Sequence, residues 1–176
     1  MANRTIVQIT PTELKGAPSI LFNPSNGVGL PSDVVNALVR DMVETMHAHP
    51  ICVGLAAVQV GVNQRIVVLN ISKDKTEADL VLTNPVIVSV SGKKDIKRES
   101  CMSLPNWMGN VERRDKIEIT YYDLDGNKQE LAAKGFLARA IQHEMDHLSG
   151  KLYAHRLVPG SKLQDASDLF RKDVTT

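Results

Sequence analysis

Hydrophobic positions along the chain follow two periods, and the change between them divides the sequence. After Pro31, the residues Val34, Leu38, Met42 and Met46 recur every four positions, with Val35, Val39 and Val43 in the neighbouring row. That spacing lays an apolar stripe along a helix of about four turns. Ser32 or Asp33 is the expected N-cap, because a short side-chain oxygen there accepts from the free N–H groups of the first turn. Pro50 stands just past the other end. From Ile51 the pattern becomes that of strands. Residues 65–71 are β-branched and largely apolar, and 74–77 form a polar turn. Residues 80–82 and 86–90 follow as strands divided by Asn84-Pro85, which marks a bend or an edge. Residues 116–122 alternate with period two, predicting one wet face, and Asp125-Gly126 joins them as a hairpin to 128–131. Residues 136–147 read as one continuous helix. A short helix is expected at 163–170, with a frayed polar end after it. Runs of strand with a helix at each side, lacking βαβ alternation, predict an α+β fold with mixed or antiparallel sheets.

Composition narrows the class without naming a chemistry. A chain of 176 residues is expected to form one domain over 1–176, with 1–30 as an extended wrapping segment and 160–176 as a short tail. The extended segment is inferred from Pro11, Pro18 and Pro24 within it and Pro31 just beyond. A net charge of +1 gives no global field to attract nucleic acid or an anionic membrane, so neither DNA nor membrane binding is expected. Only two cysteines, Cys52 and Cys101, are present, which suits a reducing compartment better than a disulfide framework. The start lacks the apolar core of a secretory signal, and no run of ~18 apolar residues appears. A cytoplasmic setting is therefore expected.

The candidate chemistry lies in the last long helix. In His143-Glu144-Met145-Asp146-His147 the two histidines are four positions apart, so both imidazoles can turn toward one metal ion. Glu144 projects from beside the first of them, within reach of a water on that ion. A catalytic metal site usually takes three protein ligands and leaves a position for water. The residues open to the third role are His47, His49, His155, Cys52, Cys101 and the carboxylates. Cys101 stands out by residue type. His47 and His49 end a helix and suit a solvated or capping role, and Cys52 suits the core.

Three separated segments resemble the three motifs of the peptide deformylase family. The segment 54–61, Gly54-Leu55-Ala56-Ala57-Val58-Gln59-Val60-Gly61, is similar to the first. Glu99-Ser100-Cys101-Met102-Ser103-Leu104-Pro105 resembles the second, and the stretch from Gln142 to Gly150 resembles the third. Their order and spacing agree with the family, and the likeness runs from about Ile6 to Leu157. It implies a hydrolase that removes the formyl group from N-formylmethionine on newly made polypeptides. By this resemblance Cys101, His143 and His147 hold one divalent metal on the central helix, ferrous iron in the cell, with zinc, nickel or cobalt as alternatives. Glu144 is then general base and acid, and the Gln59 amide and the Met102 backbone N–H stabilise the oxyanion. Substrate-binding positions carried over are Val53, Gly54, Leu55, Ser100, Phe136, Arg139 and Ala140, with Arg139 offering its aliphatic stem. The implied partners are N-formylmethionyl nascent chains, with transient ribosome contact. The implied location is the cytoplasm of a bacterial-type cell, or an organelle after removal of a transit peptide.

The sequence departs from the family at three positions in or beside these motifs. Cys52 stands where the first motif begins with glycine, Ser100 replaces the glycine before the ligating cysteine, and Met102 replaces the usual leucine, a mild change because the role there is a backbone N–H. A Cβ at Ser100 could crowd the bound peptide or restrict φ, and Cys52 could stiffen or narrow the loop before Gly54. Neither removes a ligand, the base or an oxyanion donor. Two other readings compete: a zinc peptidase of the His-Glu-x-x-His type, for which His155 would be the downstream ligand, and a non-catalytic relative that only binds chain N-termini.

Overall fold

The computed structural model describes residues 3–16, 18–72 and 76–170. The first helix, α1, spans Asp33–His47, and the Oγ of its N-cap Ser32 accepts from Val35 N. Its inward stripe buries Val35, Leu38, Val39, Met42 and Met46, while Val34 is left to solvent. Six strands follow: β1 Gly54–Ala56, β2 Ile66–Leu69, β3 Leu80–Cys101, β4 Leu104–Tyr122, β5 Lys128–Lys134 and β6 Gln164–Asp165. They form one sheet in the order β1-β2-β3-β4-β5, with β6 alongside β4. Every pairing between these strands is antiparallel; among the described residues the parallel contact is the isolated bridge Asn26–Gln64. The architecture is α+β with an antiparallel sheet.

Several local expectations change in the folded chain. Asn84-Pro85 does not divide two strands. The ladder shifts register there, Asn84 takes a φ of 48°, and β3 continues for 22 residues. The Asn84 side chain holds this kink by bonding the backbone of Val28 in both directions. Residues 104–115, in which no strand was read, are the first part of β4. Pro105 and Asn106, with a φ of 67°, interrupt the local alternation by which a strand is recognised. Within 116–122 the predicted two-sidedness holds: Ile117 and Ile119 are buried, and Lys116 and Glu118 exposed. The tail carries β6 and a short helix α3, Ser167–Phe170, in place of one helix over 163–170. Part of the turn at 74–77, and the polar end at 171–176, lie outside the described residues.

The last long helix, α2, spans Gly135–Leu148 and packs on β1, β2, β4 and β5. Two apolar clusters flank the sheet. One joins α1 to Leu55, Val60, Ile66 and Val68; the other joins α2 to Val67, Leu104, Ile117, Ile119 and Tyr153. Since successive strand residues face opposite ways, β2 sends Ile66 and Val68 to the first cluster and Val67 and Leu69 to the second. The N-terminal segment closes on this frame by backbone bonds from Val7 N to Gln59 O and from Ile9 N to Ser103 O.

Candidate metal centre

Two elements deliver three donor side chains to one point. β3 ends at Cys101, and α2 carries His143 and His147 one turn apart. The cysteine sulfur and one nitrogen of each ring lie within 4.8 Å of one another, with Cys101 Sγ 3.2 Å from His147 Nε2. A second interaction orients His143: its Nδ1 lies 2.9 Å from Glu99 Oε2. An ionised carboxylate only accepts, so Nδ1 carries the proton and Nε2 is the atom left for a ligand. The ring also stacks on Tyr153, whose hydroxyl donates to Trp107 O. A soft thiolate with two imidazoles is a donor set that suits divalent transition metals.

The group that holds Glu99 is larger than any motif. Arg113 forks onto Glu99, with Nε to Oε1 at 2.6 Å and Nη2 to Oε2 at 2.8 Å, and its Nη1 reaches Asp146 Oδ2 at 3.0 Å. Arg139 adds a bond from Nη1 to Glu99 Oε1, and Arg156 clasps the other oxygen of Asp146. Glu99, Arg113, Arg139 and Asp146 are all buried. Burial by itself raises the Glu99 carboxyl, but hydrogen bonds from Arg113 and His143 outweigh it and hold the group ionised well below the usual range. Burial likewise lowers His143, yet the neighbouring Cys101 and Glu99 raise it well above an ordinary imidazole. His147, where burial is reinforced by the His143 charge, lies well below.

Glu144 is placed differently. Its Oε2 is buried with no hydrogen-bond partner among the described residues, and burial pushes its carboxyl up to about 7 against the pull of His143 and Arg113. Gly54 makes room for it: a Cβ there would come within 2.8 Å of Glu144 Oε1 and 3.1 Å of Leu69. Gln59 sits in a short 3-10 turn, Ala57–Val60, that follows β1. Ala56 N donates to its Oε1, which leaves Nε2 directed at Ser103 Oγ (3.1 Å) and Cys101 Sγ (3.4 Å). Met102 occupies the turn between β3 and β4.

A cleft of about 330 Å³ opens onto these groups, lined by Val53, Gly54, Ser100, Phe136, Arg139 and Ala140 among others. Leu55 does not line it. Its side chain is fully buried in the α1 cluster, because β1 turns it to the opposite face from Gly54. Arg139 lines the cleft while its guanidinium is engaged by Glu99, Val111 O and Asp95 O, so the stem is the part left to form a wall. Cys52 also lines the cleft and directs its thiol to Gly54 O. The other candidate ligands are occupied elsewhere. His47 pairs with Asp79, His49 bonds Thr45 O, and His155 accepts from Leu152 N and packs edge-on against Phe22.

Reasoning from sequence missed the part played by Arg113, which joins Glu99 to Asp146 behind the ligands. The signal was weak: a cation at an inward-facing position of a strand, with no motif around it.

Comparison with known proteins bears on the chain as a whole. The family model described as polypeptide deformylase matches residues 9–163. A peptide deformylase of Roseiflexus sp. (strain RS-1) is 40% identical over 181 residues, covering 96% of this chain and 96% of its own. Among solved structures, a peptide deformylase from Synechococcus elongatus in complex with actinonin superposes with a TM-score of 0.79 at 34% identity, covering 89% of this chain and 80% of that one. One from Legionella pneumophila gives 0.79 at 31% identity, covering 99% of each.

Proposed function

The chain belongs to the polypeptide deformylase family, a metal-dependent hydrolase family that takes the formyl group from N-terminal methionine, and we propose that one catalytic domain over 1–176 performs this reaction with the residues assembled around α2. The observation that carries the assignment is the convergence of the Cys101 sulfur and the His143 and His147 ring nitrogens within 4.8 Å. These three hold a divalent cation. Ferrous iron is the reading drawn from the family likeness, and the same donors accept zinc, nickel or cobalt. When bound, the cation supplies Lewis acidity and brings the pKa of a water it holds toward neutrality.

The protein's own groups account for the rest. Glu144, unpaired at Oε2, takes the proton of the water that adds to the formyl carbon and delivers it to the amine nitrogen as the C–N bond breaks. Formate and a free N-terminus result. Gln59 is fixed by Ala56 N with its amide N–H groups directed at the site, so it meets the oxyanion without first reorienting, and the Met102 N–H is the second donor. The formylated peptide enters as an added strand beside Gly54 and Ser100, with its methionine in the cleft against Phe136, Arg139 and Ala140. The bacterial relatives support a cytoplasmic, bacterial-type setting in which nascent chains leaving the ribosome are the substrate.

Formate release from formyl-Met-Ala-Ser, measured with metal content, tests this assignment. Metal-loaded protein is expected to release formate, and Cys101→Ser to lose both metal and activity. A loaded protein that releases none contradicts it.

A further inference from the structure

The mouth of the cleft carries a charge that the reaction does not use. Arg98 lines the cleft, is exposed, and has no ion-pair partner among the described residues. The charges near it on the β3–β4 hairpin are matched. Lys94 Nζ lies 2.6 Å from Glu112, and Lys97 Nζ lies 3.0 Å from Asp95. Directly across the ladder from Arg98 is Asn110; Glu112 faces Ile96, two positions along. Of the other charged residues in the lining, Glu99 and Arg139 bind each other, and Glu144 and His143 belong to the metal centre. On the opposite wall Ile51, Cys52 and Val53 are uncharged.

Strand geometry says which part of a peptide meets this cation. Along β3 the Glu99 side chain is buried toward α2, so Arg98 and Ser100 stand on the outer face. A peptide added along this edge, with its first side chain in the cleft against α2, turns its second side chain to the outer face. We propose that Arg98 is a specificity-determining residue that favours formylmethionyl peptides with an acidic second residue. The assignment rests on the deformylase reading, and it extends that reading from the formyl end to the residue after methionine.

The test compares kcat/KM for formyl-Met-Glu-Ser, formyl-Met-Lys-Ser and formyl-Met-Ala-Ser in the wild type, Arg98→Ala and Arg98→Glu. For an exposed charge pair, attraction to Glu and repulsion of Lys together are expected to give a wild-type Glu:Lys ratio of about five to ten. The ratio should shrink toward one in Arg98→Ala, invert in Arg98→Glu, and decline in the wild type as salt is added. A wild-type ratio at or below one, or one that Arg98→Ala leaves unchanged, overturns the assignment of Arg98. The formyl-Met-Ala-Ser arm keeps the two claims apart: formate released from it with a ratio of one overturns only the role of Arg98. No formate from it overturns the deformylase reading and this inference with it.

Discussion

The two helices face the same sheet and are similarly amphipathic, yet they bury opposite kinds of surface. α1 sets Leu38, Met42 and Met46 against Leu55, Ile66 and Val68, a contact made of apolar side chains. α2 also buries apolar residues, among them Ala138, Ile141 and Leu148, but through its other positions it buries Arg139, Glu144, Asp146 and His147. Apolar packing tolerates exchange as long as volume is kept. A buried charge network tolerates little, because removing one member leaves the others desolvated and unmatched. Stability on the α1 side and geometry on the α2 side should therefore respond to different substitutions.

The largest expected effect lies at the metal. Cys101→Ala should abolish stoichiometric metal binding and formate release while the far-ultraviolet circular dichroism stays native. Glu99→Ala comes next. It strips Arg113 of its bidentate partner, leaving only the Asp146 contact, takes the Glu99 carboxylate from Arg139, and leaves His143 without its Nδ1 acceptor. We expect a loss of about 3–5 kcal/mol in urea unfolding and metal binding weakened about 10–100-fold in a competition titration. On the α1 side, Met42→Ala should cost about 2–5 kcal/mol by opening a cavity, with kcat/KM of the folded fraction retained. A Met42→Ala protein that lost activity faster than stability would show that the two sides are coupled. The smallest effect is at the helix cap: Ser32→Ala removes the acceptor of Val35 N and should cost about 1 kcal/mol in thermal or urea unfolding. No change in metal content is expected from it.

The same contrast explains what could be read from the chain. α1 was legible because its stripe repeats every four residues, and its cap at Ser32 follows from residue type. The ligands on α2 were legible for the same helical reason, since His143 and His147 are one turn apart. Cys101 and Gln59 needed the family likeness, for no local period ties them to α2. The charge network escaped because its partners are distant: Arg113 is 14 positions from Glu99 and 33 from Asp146, and Arg139 is 40 from Glu99. Strand pairing and helix packing join them, and neither leaves a spacing to recognise. The clamp of Val7 and Ile9 on the backbones of Gln59 and Ser103 escaped likewise, because backbone bonds carry no residue signature. Gly54 was read as part of a peptide channel, whereas its missing Cβ also admits the Glu144 carboxylate.

The central claim is that α2 holds the metal with two side chains and moves the proton with a third, placed between them in sequence. Glu144→Gln separates these roles, because the amide keeps the shape of the side chain and loses only the capacity to accept and return the proton. Metal content and formate release from formyl-Met-Ala-Ser should be measured on the same preparation of this variant. The account predicts one metal per chain and kcat reduced by about 10²–10⁴. Full metal with an undiminished rate would contradict it.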